Sequence, residues 1–122
     1  MILADASIWI EHFNSPNTIL LRLLGYNEIA CHDFVIGEVS LGHVRNRDAS
    51  LRELLELPKA SHVRNDEVQA LILQHRLFGK GIGYVDVHLL ASAVVTEACS
   101  LWTHDKNLSA VARSLRVEAQ MK

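Results

Sequence analysis

Short apolar runs alternate with longer segments of helical spacing along this chain, and the alternation restricts the fold more than any other feature. Apolar runs of about four residues are too short for a stable helix and are typical of buried strands. The predicted strands are 1–4, 28–31, 59–63, 99–103 and 116–119. The predicted helices are 6–13, 18–25, 33–45, 48–57, 65–78, 84–98 and 106–115. This order predicts an α/β domain with a parallel sheet of about four or five strands flanked by helices.

The composition is ordinary for a globular domain, with 49% apolar and 21% charged residues in a chain of 122. Because no Pro-, Ser- or Gly-rich linker interrupts the sequence, we expect residues 1–122 to form a single domain. The formal charge of −2 excludes a strongly basic protein that coats nucleic acid. A local basic surface stays compatible with this charge if carboxylates are concentrated in one pocket.

The cysteines and the N-terminal segment bear on the cellular compartment. Cys31 and Cys99 have no CxxC spacing and cannot form a disulfide framework, so we expect buried, reduced thiols rather than a zinc site. The first residues have neither a basic region nor a long apolar segment, so no signal peptide is expected. No run approaches the roughly 20 apolar residues that a membrane span needs. We therefore expect a cytoplasmic protein.

Two aspartates directly follow predicted strands. Asp5 ends the first strand, and Asp105 comes just after the fourth. Ligands of parallel α/β sheets bind at the carboxyl ends of the strands, which is where both side chains should lie. The alternative interpretation is that each aspartate only caps the helix that follows it.

Two further carboxylates lie among apolar helical neighbours. Glu38 is within three or four residues of Phe34, Val35 and Leu41, which places it on an apolar helix face in the prediction. Asp86 has Leu89 and Leu90 in the same relation. Carboxylates in such places are disfavoured unless they are paired or bind a cation. The alternatives are an ion pair with an arginine for Glu38 and a helix cap for Asp86.

A cluster of these four carboxylates would have the chemistry of a divalent metal site. Mg²⁺ and Mn²⁺ prefer oxygen ligands and are usually bound by a few carboxylates together with water and substrate phosphates. Without a cation, closely packed carboxylates would repel one another. A bound cation would remove that repulsion and attract a phosphate group.

Four motifs, in order, resemble those of the PIN-domain family, and most closely those of its VapC-type ribonuclease toxins from bacterial toxin–antitoxin pairs. The motifs extend over most of the chain, from the first aspartate to Leu108. They are Asp5-Ala6-Ser7-Ile8-Trp9-Ile10, Gly37-Glu38-Val39, Val85-Asp86-Val87-His88-Leu89-Leu90-Ala91 and Trp102-Thr103-His104-Asp105-Lys106-Asn107-Leu108. The resemblance implies a PIN-like single domain with a parallel sheet.

The resemblance also implies an activity and a set of residues. It implies an endoribonuclease that depends on Mg²⁺ or Mn²⁺, forms a homodimer and is blocked by a cognate antitoxin. The residues it implies as catalytic and metal-binding are Asp5, Glu38, Asp86 and Asp105. Ser7, Thr103 and Asn107 match positions that would position the substrate. Many relatives have an aspartate where this chain has Asn107, so a fifth anionic ligand is absent and the number of metal ions stays open.

Two other kinds of protein fit parts of the pattern. A receiver-like phosphoacceptor domain is also α/β with an acidic pocket, but it would need an acidic pair after the first strand, where Asp5 stands alone. A non-catalytic PIN-fold interaction module would keep the fold and bind only a protein partner. The glycine-rich segment 79–83 lacks the phosphate-loop pattern and is predicted to be a flexible connector. Of the seven histidines, His88 and His104 are the closest in sequence to the acidic residues.

Overall fold

The computed structural model describes residues 1–121, and within them the chain forms three strands and seven helices. In chain order these are β1 (Ile2–Ala4), α1 (Ala6–Asn14), α2 (Thr18–Gly25), β2 (Ile29–Ala30), α3 (Asp33–Leu41), α4 (Arg47–Leu55), α5 (Asn65–His75), α6 (Tyr84–Val95), β3 (Ser100–Trp102) and α7 (Lys106–Ser114). Among residues 1–121, no helix has the length and apolar character to cross a membrane.

The sheet is parallel, with β1 in the centre between β2 and β3. The two outermost predicted strands are present only as single parallel bridges, one between Lys59 and Cys31 and one between Glu118 and Leu101. Each outer segment makes two backbone hydrogen bonds with its neighbour before the chain leaves the sheet. The predicted α/β architecture is therefore confirmed, and its outer strands are shorter than the sequence indicated.

Several helix boundaries differ from the prediction for local reasons. Helix α3 begins with His32 as its cap rather than Asp33, because the His32 ring nitrogen Nδ1 accepts the Phe34 N–H at 3.0 Å. Gly42 is extended and ends α3 at Leu41, four residues before the predicted end. Helix α4 is capped by a left-handed Asn46 instead of Asp48.

The core packs around β1 and α6. Leu3 and Ala4 of β1 are fully buried, and Leu89 and Leu90 of α6 are buried against the sheet. Both cysteines are buried free thiols, as predicted, and burial raises the pKa of Cys31 to about 11. Because α6 is surrounded by the core, it is a rigid support for the side chains of its first turn.

His88 is buried and packs against other aromatic rings rather than beside the predicted acidic residues. Its ring centroid is 4.8 Å from the rings of Phe34 and Tyr84 and 6.1 Å from that of His62. The ring nitrogen Nε2 lies 2.9 Å from the Asn65 side-chain oxygen. His88 thus joins α6 to α3 and α5 by packing.

Replacing His32 by Asn should make the protein less sensitive to acid. Burial, together with His62 and His88, lowers the pKa of His32 from 6.5 to about 4, so the folded state favours the neutral ring. The stability that depends on the neutral ring is present above pH 6.5 and is lost as the pH falls towards 4. Asparagine keeps an acceptor for the helix cap but does not titrate.

The measurement is the free energy of unfolding by urea at several pH values between 4 and 6.5. The His32→Asn variant takes up one fewer proton on unfolding. The slope of its free energy of unfolding against pH should therefore be lower by up to about 1.4 kcal/mol per pH unit. The exposed His43, changed to Asn, is the control for loss of a histidine elsewhere. An unchanged slope in His32→Asn would show that another group causes the acid sensitivity.

Candidate active site

The strand order places a crevice at the carboxyl end of the central strand. From β1 the chain passes to β2 on one side, and it later returns to β3 on the other side of β1. In open α/β sheets, ligands bind where the strand order reverses in this way. Asp5 follows β1 and Asp105 follows β3, so both residues lie at this point.

One pocket of about 350 Å³ contains all four carboxylates that the sequence singled out. Asp5 and Asp105 come from the ends of β1 and β3, Glu38 comes from α3, and Asp86 comes from the first turn of α6. Helix α3 packs against α1, and α6 packs against β3, so the two helices face the same edge of the sheet. Tertiary packing thus brings together carboxylates that are far apart in sequence.

Asp5 is the buried and most firmly held member of the group. Its side-chain oxygen Oδ1 accepts the Ser7 hydroxyl at 2.6 Å and the Ile8 N–H at 3.2 Å. The Thr103 hydroxyl donates to Oδ2. Ser7 and Thr103, which the sequence suggested as substrate-positioning residues, therefore orient Asp5 in this structure.

Asp86 and Asp105 both accept a backbone N–H at the start of a helix while they face the pocket. The Asp86 oxygen Oδ2 accepts the Gly83 N–H at 3.0 Å, and the Asp105 oxygen Oδ1 accepts the Leu108 N–H at 2.9 Å. The capping alternative is correct for Asp5 and Asp105, which are the N-caps of α1 and α7. It is wrong for Asp86, because Gly83 is the N-cap of α6 and Asp86 lies in the first turn. Each contact uses one carboxylate oxygen and is compatible with a second role.

Glu38 differs from the prediction in its exposure. The sequence placed it on a buried apolar face, whereas it is exposed on the wall of the pocket. Within residues 1–121, its carboxylate has no hydrogen-bond or ion-pair partner, so the proposed arginine partner is not found there. Partial desolvation raises the pKa of Glu38, and the charges of Asp86 and Asp5 raise it further.

The pocket is an environment of uncompensated negative charge. Burial raises the pKa of Asp86, and the neighbouring Asp5 and Asp105 add to this effect, while the Gly83 N–H opposes it. All the ionisable donors of the pocket are carboxylate oxygens, the ligands that Mg²⁺ and Mn²⁺ prefer. The donor set therefore fits such an ion chemically.

These carboxylates do not form a preassembled coordination group. Among residues 1–121, no group of three or more His, Cys, Asp or Glu side chains is arranged to hold a metal ion as it stands. Mg²⁺ is usually bound by one or two carboxylates together with water and substrate phosphates, so a cation site here does not need three of these side chains in contact. Glu38 and Asp105 are the exposed members of the group.

Asn107 lies beside the glycine-rich loop rather than on the wall of this pocket. Its side-chain nitrogen Nδ2 lies 3.4 Å from the Gly81 carbonyl oxygen. A Cβ atom at Gly81 would come within 2.5 Å of the same nitrogen, so the contact requires glycine. The contact joins the loop before Asp86 to the helix that begins after Asp105. Apart from the spacing of the glycines, no sequence pattern predicted this contact.

Two glycine substitutions should separate backbone strain from this contact. Gly79 and Gly81 both have positive φ, +72° and +75°, but only Gly81 has a neighbour within 4 Å of its Cβ position. Each change to Ala should lower the free energy of unfolding by about 1–2 kcal/mol, because alanine is strained in the left-handed conformation. Gly81→Ala should cost about 1 kcal/mol more because it crowds Asn107.

Urea denaturation of the two variants would measure this difference in the free energy of unfolding. Adding Asn107→Ala to Gly81→Ala should remove the extra loss of stability relative to Gly79→Ala, because the crowded amide is then absent. Equal losses in Gly79→Ala and Gly81→Ala would mean that the loop does not dock on Asn107.

His104, the other histidine close to the acidic residues in sequence, does not line the acidic pocket. Its ring is exposed, and its Nδ1 lies 3.5 Å from the Glu11 oxygen Oε2. The Trp102 ring packs at its edge, with 6.4 Å between ring centroids. His104 faces a neighbouring pocket instead.

Comparison with known proteins agrees with the fold and with the family resemblance. The family model described as PIN domain matches residues 2–114. Two proteins named Ribonuclease VapC32, from the CDC 1551 / Oshkosh and ATCC 25618 / H37Rv strains of Mycobacterium tuberculosis, are each 44% identical to the chain over 110 residues. The alignments cover 90% of this chain and 89% of each relative. No solved structure matches the chain significantly. The resemblance found in the sequence is therefore confirmed, and the chain belongs to the PIN-domain family.

Proposed function

We propose that this protein is an endoribonuclease that depends on Mg²⁺ or Mn²⁺ and acts as the toxin of a type II toxin–antitoxin pair. The observation that carries the proposal is the convergence of Asp5, Glu38, Asp86 and Asp105 on one pocket. Family membership and 44% identity to proteins named ribonuclease support RNA as the substrate. Membership in the PIN family leaves the receiver-like alternative without support.

In the proposed reaction, the four carboxylates hold the cation and the neighbouring hydroxyls hold Asp5. The phosphodiester of RNA is anionic, so this pocket would repel it unless a cation offsets the carboxylate charge. A bound cation would supply Lewis-acid polarisation of a phosphoryl oxygen and would lower the pKa of water, so that the water oxygen replaces one ribose oxygen on phosphorus and that ribose oxygen leaves as a hydroxyl. Glu38 is exposed on the wall of the pocket and has no partner within the described residues, so its carboxylate is free to take part in holding the cation.

Asp5 has the role of a fixed ligand. Its hydrogen bonds with Ser7, Thr103 and the Ile8 N–H hold the carboxylate in one orientation before anything binds. Preorganisation of this kind lowers the reorganisation needed in the reacting complex. Ser7 and Thr103 then contribute to catalysis through Asp5, rather than by contact with RNA.

The proposed partners follow from the toxin assignment. They are an RNA substrate, a cognate antitoxin that blocks the acidic pocket, and a second copy of the chain in a homodimer. The proposed location is the cytoplasm, where the RNA targets of such an enzyme are found, and residues 1–122 are proposed to be one domain. A small open reading frame next to this gene, whose product copurifies with the chain and inhibits cleavage, would support the antitoxin.

The competing function is a non-catalytic interaction module that keeps the PIN fold and binds only a protein partner. Incubation of purified protein with bacterial total RNA distinguishes the two functions. A nuclease should cut RNA with Mg²⁺ or Mn²⁺ and leave it intact with EDTA. A folded protein that leaves RNA intact with either ion would be an interaction module.

A further inference from the structure

A second pocket, of about 360 Å³, lies directly beside the acidic pocket at the carboxyl edge of the sheet. Thr103 lies on its wall, and the hydroxyl of the same residue donates to Asp5 of the acidic pocket. The Thr103–Asp5 hydrogen bond therefore links the wall of one pocket to the wall of the other. We call the second one the side pocket. The proposed cleavage reaction in the acidic pocket gives the side pocket no role.

The side pocket combines an apolar lining with polar amide groups. Ile19, Trp102 and Met121 supply apolar surface, and the amide side chains of Asn17 and Gln120 lie on the wall. The Asn17 oxygen Oδ1 accepts the Leu20 N–H at 3.0 Å, which leaves its Nδ2 group as a donor. Gln120 is exposed. This lining suits a flat ligand with apolar faces and a polar edge.

The charge of the lining selects a neutral ligand over a phosphate. Among the described residues, no Lys or Arg lines the side pocket, and its only carboxylate is Glu118. The Arg113 guanidinium and the Ser109 hydroxyl lower the pKa of Glu118, so this carboxylate is ionised at neutral pH. Phosphate sites in proteins use Arg, Lys or clustered backbone N–H donors, and the described lining has neither basic side chain.

We propose that the side pocket binds a nucleobase of RNA next to the phosphate that reacts in the acidic pocket. The proposal rests on the nuclease function proposed above and adds a base-selective subsite to it. Amide side chains of Asn and Gln pair with the edges of bases, and exposed aromatic or imidazole rings stack on their faces. Asn17 and Gln120 supply the amides, and His104, which also lines the pocket, supplies an exposed ring. Base selection at the cleavage site is the expected consequence.

Binding of single nucleosides tests the pocket without any RNA cleavage. Adenosine, guanosine, cytidine and uridine would be titrated to millimolar concentrations, while NMR follows the side-chain amide signals of Asn17 and Gln120 and the indole signal of Trp102. We expect at least one nucleoside to shift these signals, and ribose 5-phosphate, which has no base, to leave them unchanged. Absence of shifts with all four nucleosides, or equal shifts with ribose 5-phosphate, would overturn the proposal.

Cleavage of an RNA pool tests the consequence for catalysis. The pool carries randomised nucleotides, and sequencing of the products gives the base preference on each side of the cut. The wild type should show a preference at one flanking position, and Gln120→Ala should reduce it by about fivefold, the effect of one lost hydrogen bond to a base. Asn17→Asp keeps the acceptor that caps α2 but removes the donor, and it should change the preferred base.

The control is Gln74→Ala, which removes an exposed glutamine from α5. It should keep the wild-type preference. If Gln120→Ala and Asn17→Asp cut RNA with the wild-type preference, the base-binding proposal is wrong and the nuclease function stands. If the wild type cuts no RNA with Mg²⁺ or Mn²⁺, the nuclease function is wrong, and the nucleoside titration alone decides whether the side pocket binds a base.

Discussion

Replacing Asp5 by Asn is expected to reduce RNA cleavage by at least about 100-fold while the protein stays folded. Asp5 is the one buried carboxylate of the acidic pocket, at 8% exposure, and its orientation is set by Ser7, Ile8 and Thr103. Losing its charge removes a fixed ligand of the proposed cation. Metal stabilisation of transition-state charge contributes several kcal/mol, and about 1.4 kcal/mol corresponds to a factor of ten in rate.

The substitution is suited to this test because it changes charge more than shape. The asparagine carbonyl oxygen can still accept the Ile8 N–H, so the start of α1 keeps its cap. Rates would be measured on a fluorescent RNA with excess Mg²⁺, and thermal melting would confirm folding. Asp48→Asn is the matched control, because Asp48 lies exposed on α4, away from the acidic pocket. Wild-type cleavage by folded Asp5→Asn would rule out the acidic pocket as the catalytic site.

Mg²⁺ or Mn²⁺ is expected to stabilise the folded protein, and Asp86→Asn should remove most of this effect. An ion that binds only the folded state at 100 times its dissociation constant stabilises it by about 2.7 kcal/mol. The cation offsets the repulsion that acts on Asp86 from Asp5 and Asp105. Asparagine keeps an oxygen that can accept the Gly83 N–H, so the first turn of α6 is retained.

The pH dependence of the same experiment has a definite sign. The pKa values of Asp86 and Glu38 are raised in the folded state above 3.8 and 4.5. Their protonated forms therefore favour folding, and this contribution is present at low pH and lost as the pH rises through the folded pKa values. Without a cation, we therefore compare the free energy of unfolding of Asp86→Asn with that of the wild type. The difference should favour the variant more at neutral pH than at pH 3.8.

Urea denaturation at each pH, first with EDTA and then with added Mg²⁺ or Mn²⁺, measures both the stabilisation by the cation and the pH dependence of the Asp86→Asn variant. The exposed variant Asp48→Asn should behave as the wild type in each condition. Equal stabilisation by the cation in wild type and Asp86→Asn would show that the ion binds elsewhere. Wild type and Asp86→Asn share the same buried histidines. The difference between their free energies of unfolding, measured in the same buffer at each pH, therefore does not contain the histidine contribution.

Local patterns in the sequence were sufficient for the order of the elements. The run before Asp5 is apolar and short, so it forms a strand, and the aspartate caps the next helix. Asp105 repeats the arrangement after β3. Since parallel strands have their carboxyl ends at one edge, the sequence also predicted that these two carboxylates would lie near each other.

The same patterns were insufficient where a residue responds to a distant part of the chain. His32 replaces Asp33 as a helix cap, and its buried ring packs against His62 from a distant segment. Asn107 docks on a loop 26 residues earlier in the chain, which no helical or strand spacing predicts. The outer strands are reduced to single bridges because the chain turns away after two hydrogen bonds.

By itself, the sequence determined the alternation of strands and helices, the family resemblance and the four acidic positions. Each of these depends on residue types within a few positions of one another, where backbone geometry and hydrophobic periodicity act directly. Only the tertiary structure decided that Glu38 is exposed, that Ser7 and Thr103 hold Asp5, and that Thr103 also lines a second pocket. These properties depend on which distant segments pack together. Burial, repulsion between carboxylates and the shape of a pocket are each determined by all the residues that surround a position in the folded protein.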